Sequence, residues 1–137
     1  MLTPANAKIL VIEDMGEMRD ILRRLLGVLG FARVTTLTNG GEAWEQLQVQ
    51  AFDVVLCDWN MPKMSGRELL EKVRAEPRLA HLPFIMITGE NASERVRNAI
   101  AGGVTDFIVK PFTGALLDHR LKHALSLARP ASAAGAP

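Results

Sequence analysis

Four short runs of apolar residues punctuate the chain: Ile9-Leu10-Val11-Ile12, Val54-Val55-Leu56-Cys57, Phe84-Ile85-Met86-Ile87 and Phe107-Ile108-Val109. They are continuous rather than alternating, as expected of parallel strands covered on both faces. A weaker stretch, Arg33 to Leu37, mixes Val34 with Thr35 and Thr36 and reads as an edge strand. Between the runs the period changes. Met18, Ile21, Leu22, Leu25 and Leu29 recur at three-to-four spacing, and Gly30 is placed to end that helix. Asn39 with Glu42, Ser65 with Glu68, and Asn91 with Glu94 have the spacing of capping boxes, so three more helix starts are marked independently. A last helix from about Thr113 to Arg129 places Leu117, Leu121, Ala124 and Leu125 on one face. Strand and helix thus alternate five times. This order predicts an α/β fold with a parallel sheet and right-handed crossovers.

Length allows one domain with a real core, expected over residues 8–128, between an N-terminal extension (1–7) and a flexible tail (129–137). Apolar residues make up 48% and charged residues 23%, which excludes wholesale disorder. A formal charge of +1 gives no electrostatic case for nucleic acid or anionic lipid. Cys57 is the only cysteine and sits in an apolar run, so it reads as a buried core thiol in a reducing compartment. No stretch is long and apolar enough for a membrane span, and Met1 to Lys8 lacks the pattern of a secretory signal. A cytoplasmic location without membrane contact is expected.

Chemistry collects where the apolar runs stop. Counting the weak stretch as the second of five expected strands, Glu13 and Asp14 follow the first strand, Asp58 the third, Thr88 the fourth, and Lys110 with Pro111 the fifth. In open α/β sheets ligands bind beyond the carboxyl ends of the strands, and all five residues fall on that edge. Three carboxylates brought together repel unless a cation joins them, and an oxygen-only donor set favours Mg2+ over zinc. Lys110 adds a compact cation and Thr88 a hydroxyl donor, both suited to phosphoryl oxygens. Each signal alone has a plainer reading. Asp14 with Glu17 has the spacing of a cap for the first helix, Thr88-Gly89 that of a turn. Their joint occurrence in order reverses the balance.

Val11-Ile12-Glu13-Asp14, Cys57-Asp58-Trp59-Asn60-Met61-Pro62 with Ser65-Gly66, Ile87-Thr88-Gly89 and Val109-Lys110-Pro111-Phe112 together resemble the receiver domains of two-component response regulators, over about residues 8 to 128. Within that family the likeness is to the stand-alone chemotaxis regulators. The resemblance implies a flavodoxin-like, doubly wound five-stranded parallel sheet in the order 2-1-3-4-5, flanked by five helices. It implies that Asp58 accepts a phosphoryl group from a sensor histidine kinase or histidine phosphotransfer domain. Glu13, Asp14, Asp58 and the backbone carbonyl of Asn60 would hold Mg2+, while Thr88 and Lys110 bind the phosphoryl oxygens. Thr88 and Phe107 would then switch, remodelling the face of the fourth helix, fifth strand and fifth helix for a downstream protein. The Lys110–Pro111 bond is expected to be cis, and Asn60 and Glu90 to set the lifetime of the phosphorylated state at seconds to minutes.

Two positions depart from the commonest family pattern. Glu13 stands where many receivers have aspartate, and Phe107 where motor-binding chemotaxis regulators have tyrosine. Phe107 cannot donate a hydrogen bond to a partner. This keeps a phosphorelay intermediate or phosphate sink as the alternative within the family. A Mg2+-dependent phosphatase acting on small molecules through an aspartyl phosphate is the alternative outside it; there the residue two after the nucleophile is an acid, here Asn60. The expectation is a signalling protein, not an enzyme with an external substrate. Output is expected to come from a protein contact, since no effector domain follows residue 128 in this sequence.

Other candidates read more plainly. Trp59 is expected to be a surface aromatic beside the site, and Met15, Met18, Met61 and Met64 loop and core packing. His119 and His123, four apart, read as a solvated helix face. So do Arg19, Arg23 and Arg24 on the first helix, where the family resemblance adds docking of the kinase partner as the alternative.

Overall fold

Continuous apolar strands need cover on both faces, and the helices supply it. The computed structural model describes residues 2–59, 64–89 and 93–127. In chain order the elements are β1 (Lys8–Ile12), α1 (Gly16–Val28), β2 (Arg33–Leu37), α2 (Gly40–Val49), β3 (Val54–Asp58), α3 (Gly66–Ala75), β4 (Phe84–Thr88), α4 (Ser93–Ala101), β5 (Asp106–Val109) and α5 (Gly114–Leu127). The strands form one parallel sheet in the order β2-β1-β3-β4-β5. The expected topology is thereby met, including the weak β2 at an edge.

Side chains alternate across the sheet and sort into two cores. Leu10, Ile12, Val55, Cys57, Phe84 and Met86 pack with α2, α3 and α4. Ile9, Val11, Val54, Leu56, Ile85, Ile87 and Ile108 pack with α1 and α5. Within α1 the buried positions are Leu22 and Leu26. Ile21, expected on that face, is 46% exposed, so the apolar stripe is rotated toward Leu26. In α5, Leu117, Leu121, Ala124 and Leu125 are buried as the spacing predicts.

The helix ends show how local sequence fixes the frame. Asn39 caps α2 by accepting from Glu42 N–H at 2.9 Å, and Ser65 caps α3 by accepting from Glu68 N–H at 3.2 Å. Such caps are each worth about 1 kcal/mol. Glu42 reaches back one residue further than a capping box requires, accepting from Thr38 N–H at 2.9 Å. The expected Asn91 cap lies outside the described residues. For α1 the Asp14–Glu17 expectation is corrected: its N-cap is Met15, with no side-chain cap. Its C-terminus is a Schellman turn, with Gly30 at φ +94°, Phe31 N–H on Leu26 O at 2.9 Å and Gly30 N–H on Gly27 O at 3.1 Å. The same bonds recur after α4 at Gly103 (φ +97°), from Val104 to Ala99 and from Gly103 to Ile100.

Two polar anchors, the buried Asp53 and the half-buried Arg74, carry no signature in the sequence. Asp53, 1% exposed, accepts from Lys8 N–H at 2.7 Å while its own N–H donates to Lys8 O at 2.8 Å, tying β1 to β3. Arg74 donates to Gly103 O, Ala80 O and Leu82 O, joining the loops before β4 and β5. The N-terminal extension is also tied down: Ala32 N–H donates to Pro4 O, and Leu2 packs on the α1–α5 core.

Candidate functional site

Parallel pairing brings the carboxyl ends of β1, β3, β4 and β5 to one edge. Ile12 pairs with Cys57, Asp58 with Ile87, and Thr88 with Val109. Glu13, Asp58 and Lys110 continue the alternation of Val11, Leu56 and Ile108, so they emerge on the α1–α5 side. Thr88 and Phe107 follow the other parity, and Phe107 packs partly buried on the α2–α3–α4 core. The strand-end residues therefore straddle the sheet: Glu13, Asp58 and Lys110 on one side and Thr88 on the other, with Phe107 further back along β5 on the side of Thr88.

One ligand oxygen from each of Glu13, Asp14 and Asp58 lies within 4.8 Å of the others. Glu13 is fully buried and Asp58 is 6% exposed. Glu13 accepts from Met15 N–H through Oε1 at 3.3 Å and from Lys110 Nζ through Oε2 at 3.1 Å. The same ammonium is 3.9 Å from Asp58 Oδ2. One ammonium against three carboxylates leaves two formal negative charges in excess. An all-oxygen cluster with that surplus fits a hard divalent cation such as Mg2+, which keeps several waters and needs few protein ligands. Asn60 and Glu90 lie outside the described residues.

The neighbours of Asp58 hold its backbone tightly. Trp59 N–H donates to Ile87 O at 2.9 Å, and Cys57 Sγ to Asp58 O at 3.2 Å. Burial pushes the Cys57 thiol well above its ordinary value, with the charges of Asp58 and Glu13 adding to the rise. Trp59 corrects the expectation of a surface aromatic: it is 7% exposed and belongs to the α2–α3–α4 core. The reason is strand alternation, which turns residue 59 away from the side that Asp58 occupies, under Gly66. Thr88 is fully buried, and its carbonyl accepts from Lys110 N–H at 2.7 Å. The Lys110–Pro111 peptide is cis, as expected.

Arg19 departs from the expected solvated face. Its Nη1 donates to Glu13 O at 2.8 Å and to Asp14 O at 3.0 Å. The spacing of an arginine five and six residues after the acidic pair was the available signal. Met15 is exposed at 59%, Met18 and Met64 are partly buried against the two cores, and Met61 lies outside the described residues. His119 and His123 are exposed on α5, as a solvated face requires.

A doubly wound sheet carrying an acidic, lysine-linked cluster at its carboxyl edge defines a receiver domain of two-component signalling. A family model described as the response regulator receiver domain matches residues 9–122, and the chain belongs to that family. It is 43% identical over 116 residues to chemotaxis protein CheY1 of Helicobacter pylori, covering 84% of this chain and 94% of that protein. To chemotaxis protein CheY-3 of Vibrio cholerae it is 44% identical, covering 85% and 89%. Among solved structures, CheY4 of Vibrio cholerae superposes with a TM-score of 0.80 at 34% identity, covering 87% and 98%. The receiver domain of a sensor histidine kinase from Pseudomonas aeruginosa, which has a magnesium ion in its active-site cleft, superposes with a TM-score of 0.82 at 27% identity, covering 89% and 99%. The chain is therefore a CheY-like response regulator receiver. No helix among the described residues is long and apolar enough to cross a membrane.

Proposed function

We propose that this receiver is a phosphorylation switch in which Asp58 takes a phosphoryl group from the phosphohistidine of a sensor kinase or phosphotransfer domain. The observation that carries the proposal is the convergence of Glu13, Asp14 and Asp58 within 4.8 Å, with Lys110 bridging Glu13 and Asp58. An Asp58 carboxylate oxygen attacks phosphorus as the phosphorus–nitrogen bond breaks, giving an acyl phosphate; the electron pair stays on the departing nitrogen, and the donor's imidazole leaves neutral because its other ring nitrogen already carries a proton. Mg2+ held by Glu13, Asp14, Asp58 and the carbonyl of Asn60 would neutralise charge on the phosphoryl oxygens. Lys110 and Thr88 bind those oxygens from the neighbouring strand ends. Phe107, packed inward one strand away, changes rotamer as Thr88 moves, and the α4–β5–α5 face is remodelled for a downstream protein.

Asn60 and Glu90 flank the path of the hydrolytic water and tune the lifetime. The protein acts as a switch that catalyses its own phosphorylation and hydrolysis; Asn60 offers no general acid for turnover of small molecules. A cytoplasmic site of action belongs to the same proposal, because Asp58 has to meet a kinase phosphohistidine. The missing hydroxyl at Phe107 favours, as a second reading, a relay or phosphate sink. It would be recognised by transfer from Asp58 to a second histidine protein.

The test is incubation with acetyl phosphate and Mg2+, read by intact mass. Addition of one phosphoryl group to wild type, absent in Asp58→Asn and in EDTA, is expected. An unmodified wild type would reject the switch. Turnover of p-nitrophenyl phosphate that depends on Asp58 would favour the small-molecule enzyme instead.

A further inference from the structure

The segment that carries two of the three acids has an unusual support. Its start is fixed by β2, since Glu13 N–H donates to Leu37 O at 3.0 Å. Beyond that, the chain turns into α1 without a side-chain cap. The carbonyls of Glu13 and Asp14 precede the first helical bond, which runs from Arg19 N–H to Met15 O at 2.9 Å, so the helix does not use them. Both are taken by one guanidinium nitrogen, Arg19 Nη1, at 2.8 and 3.0 Å. With the amide of Glu13 held by β2 and both carbonyls held by α1, the two carboxylates keep only their side-chain torsions.

We propose that Arg19 is a positioning residue for the metal site, clamping the Glu13–Asp14 backbone so that both carboxylates face Asp58 before a cation arrives. The proposal rests on the reading that this acidic cluster binds Mg2+. A planar guanidinium suits the role because it can serve two acceptors from a fixed fork, whereas an ammonium concentrates its charge at one point. Outer supports of this kind typically change metal affinity by about 10- to 100-fold when removed.

The clamp and the bare charge of Arg19 act with opposite sign, which makes the proposal decidable. A nearby positive charge repels Mg2+, so a residue acting only through charge would bind metal more tightly once removed. A clamp, once removed, leaves the acids less ordered and weakens binding.

The experiment titrates Mg2+ alone into wild type, Arg19→Ala, Arg19→Lys and Arg24→Ala, read by tryptophan fluorescence and by calorimetry, with melting in EDTA measured alongside. Arg19→Ala is expected to weaken Mg2+ binding about 10-fold, at the low end for an outer support. Arg19→Lys should recover part of the loss, and exposed Arg24→Ala should match wild type. Unchanged or tighter binding in Arg19→Ala would overturn the clamp, even if the variant melts lower in EDTA, because that result describes a purely structural contact. Wild type that binds no Mg2+ would overturn the metal-binding reading as well, so the two failures are distinguishable.

Discussion

Lys110 Nζ lies 3.1 Å from Glu13 Oε2 and 3.9 Å from Asp58 Oδ2, so the lysine leans toward Glu13 rather than toward Asp58, the proposed phosphoacceptor. The longer glutamate side chain, with one more methylene than aspartate, gives Glu13 this reach across from β1 to the end of β5. Glu13 is fully buried, so its charge depends on Lys110 and on the Met15 amide. A buried charge that loses its partner is strongly destabilising.

Lys110→Ala is therefore expected to lower stability in EDTA by about 3 kcal/mol, the lower end of the cost of breaking a buried pair, because the lysine itself keeps some solvent contact. Millimolar Mg2+ should recover a larger share of stability in the variant than in wild type, since the cation replaces the missing charge. Urea melts with and without metal read both effects. An equal Mg2+ response in the two proteins would show that the pair and the cation do not compete for the same charge.

Asp58→Asn removes one carboxylate from the cluster and, with it, one oxygen ligand of charge. Wild type should melt higher in millimolar Mg2+ than in EDTA, because a ligand bound only to the native state stabilises it, by about 2.7 kcal/mol at a hundredfold excess over the dissociation constant. Asp58→Asn should gain clearly less from the same addition. Calorimetric melts decide this, and identical gains would remove Asp58 from the metal site.

The fold was legible because its signals are local and repeated. Continuous apolar strands, the cap residues Asn39 and Ser65, and the stop at Gly30 each act within a few residues of themselves. The strand-end acids were legible for a related reason, since topology alone carries Glu13, Asp58, Thr88 and Lys110 to one edge. What escaped were contacts whose partner is a backbone atom. Arg19 donates to two carbonyls and Arg74 to three, and a carbonyl has no sequence signature. Trp59 is buried although it adjoins Asp58, because alternation sends neighbouring residues to opposite sides of the sheet and adjacency to a site does not imply exposure.

Cys57 should be inert in the native state. It is buried, its thiol is bonded to Asp58 O, and burial together with the nearby acids holds it protonated where an ordinary cysteine ionises. The unfolded chain releases that proton near pH 8.5 while the folded chain keeps it. Stability linked to this thiol is thus fully present below about pH 8.5 and is lost as pH rises further, with a slope of at most about 1.4 kcal/mol per pH unit. In EDTA, wild type should lose stability between pH 8.5 and 10 faster than Cys57→Ala, and its labelling by a thiol reagent should track global unfolding. Fast labelling of native protein at neutral pH would contradict the buried placement.

Gly66 and Gly27 make opposite predictions from the same substitution. A Cβ on Gly66 would sit 2.8 Å from Asp58 O, 3.0 Å from the Trp59 ring and 3.1 Å from Trp59 Cα. Two of these atoms are backbone and cannot rotate away, so Gly66→Ala has to shift the end of β3 and the start of α3 apart. It is expected to cost about 1–3 kcal/mol, as overpacking does, and to shift the emission of Trp59. A Cβ on Gly27 meets nothing within 4 Å, and this residue lies inside α1. Gly27→Ala should therefore raise stability by about 0.5–1 kcal/mol through helix propensity, with no spectral change. Urea melts and fluorescence on the pair check both signs. Equal effects would mean that Gly66 is not the contact that holds Trp59 inward and Asp58 at the sheet edge.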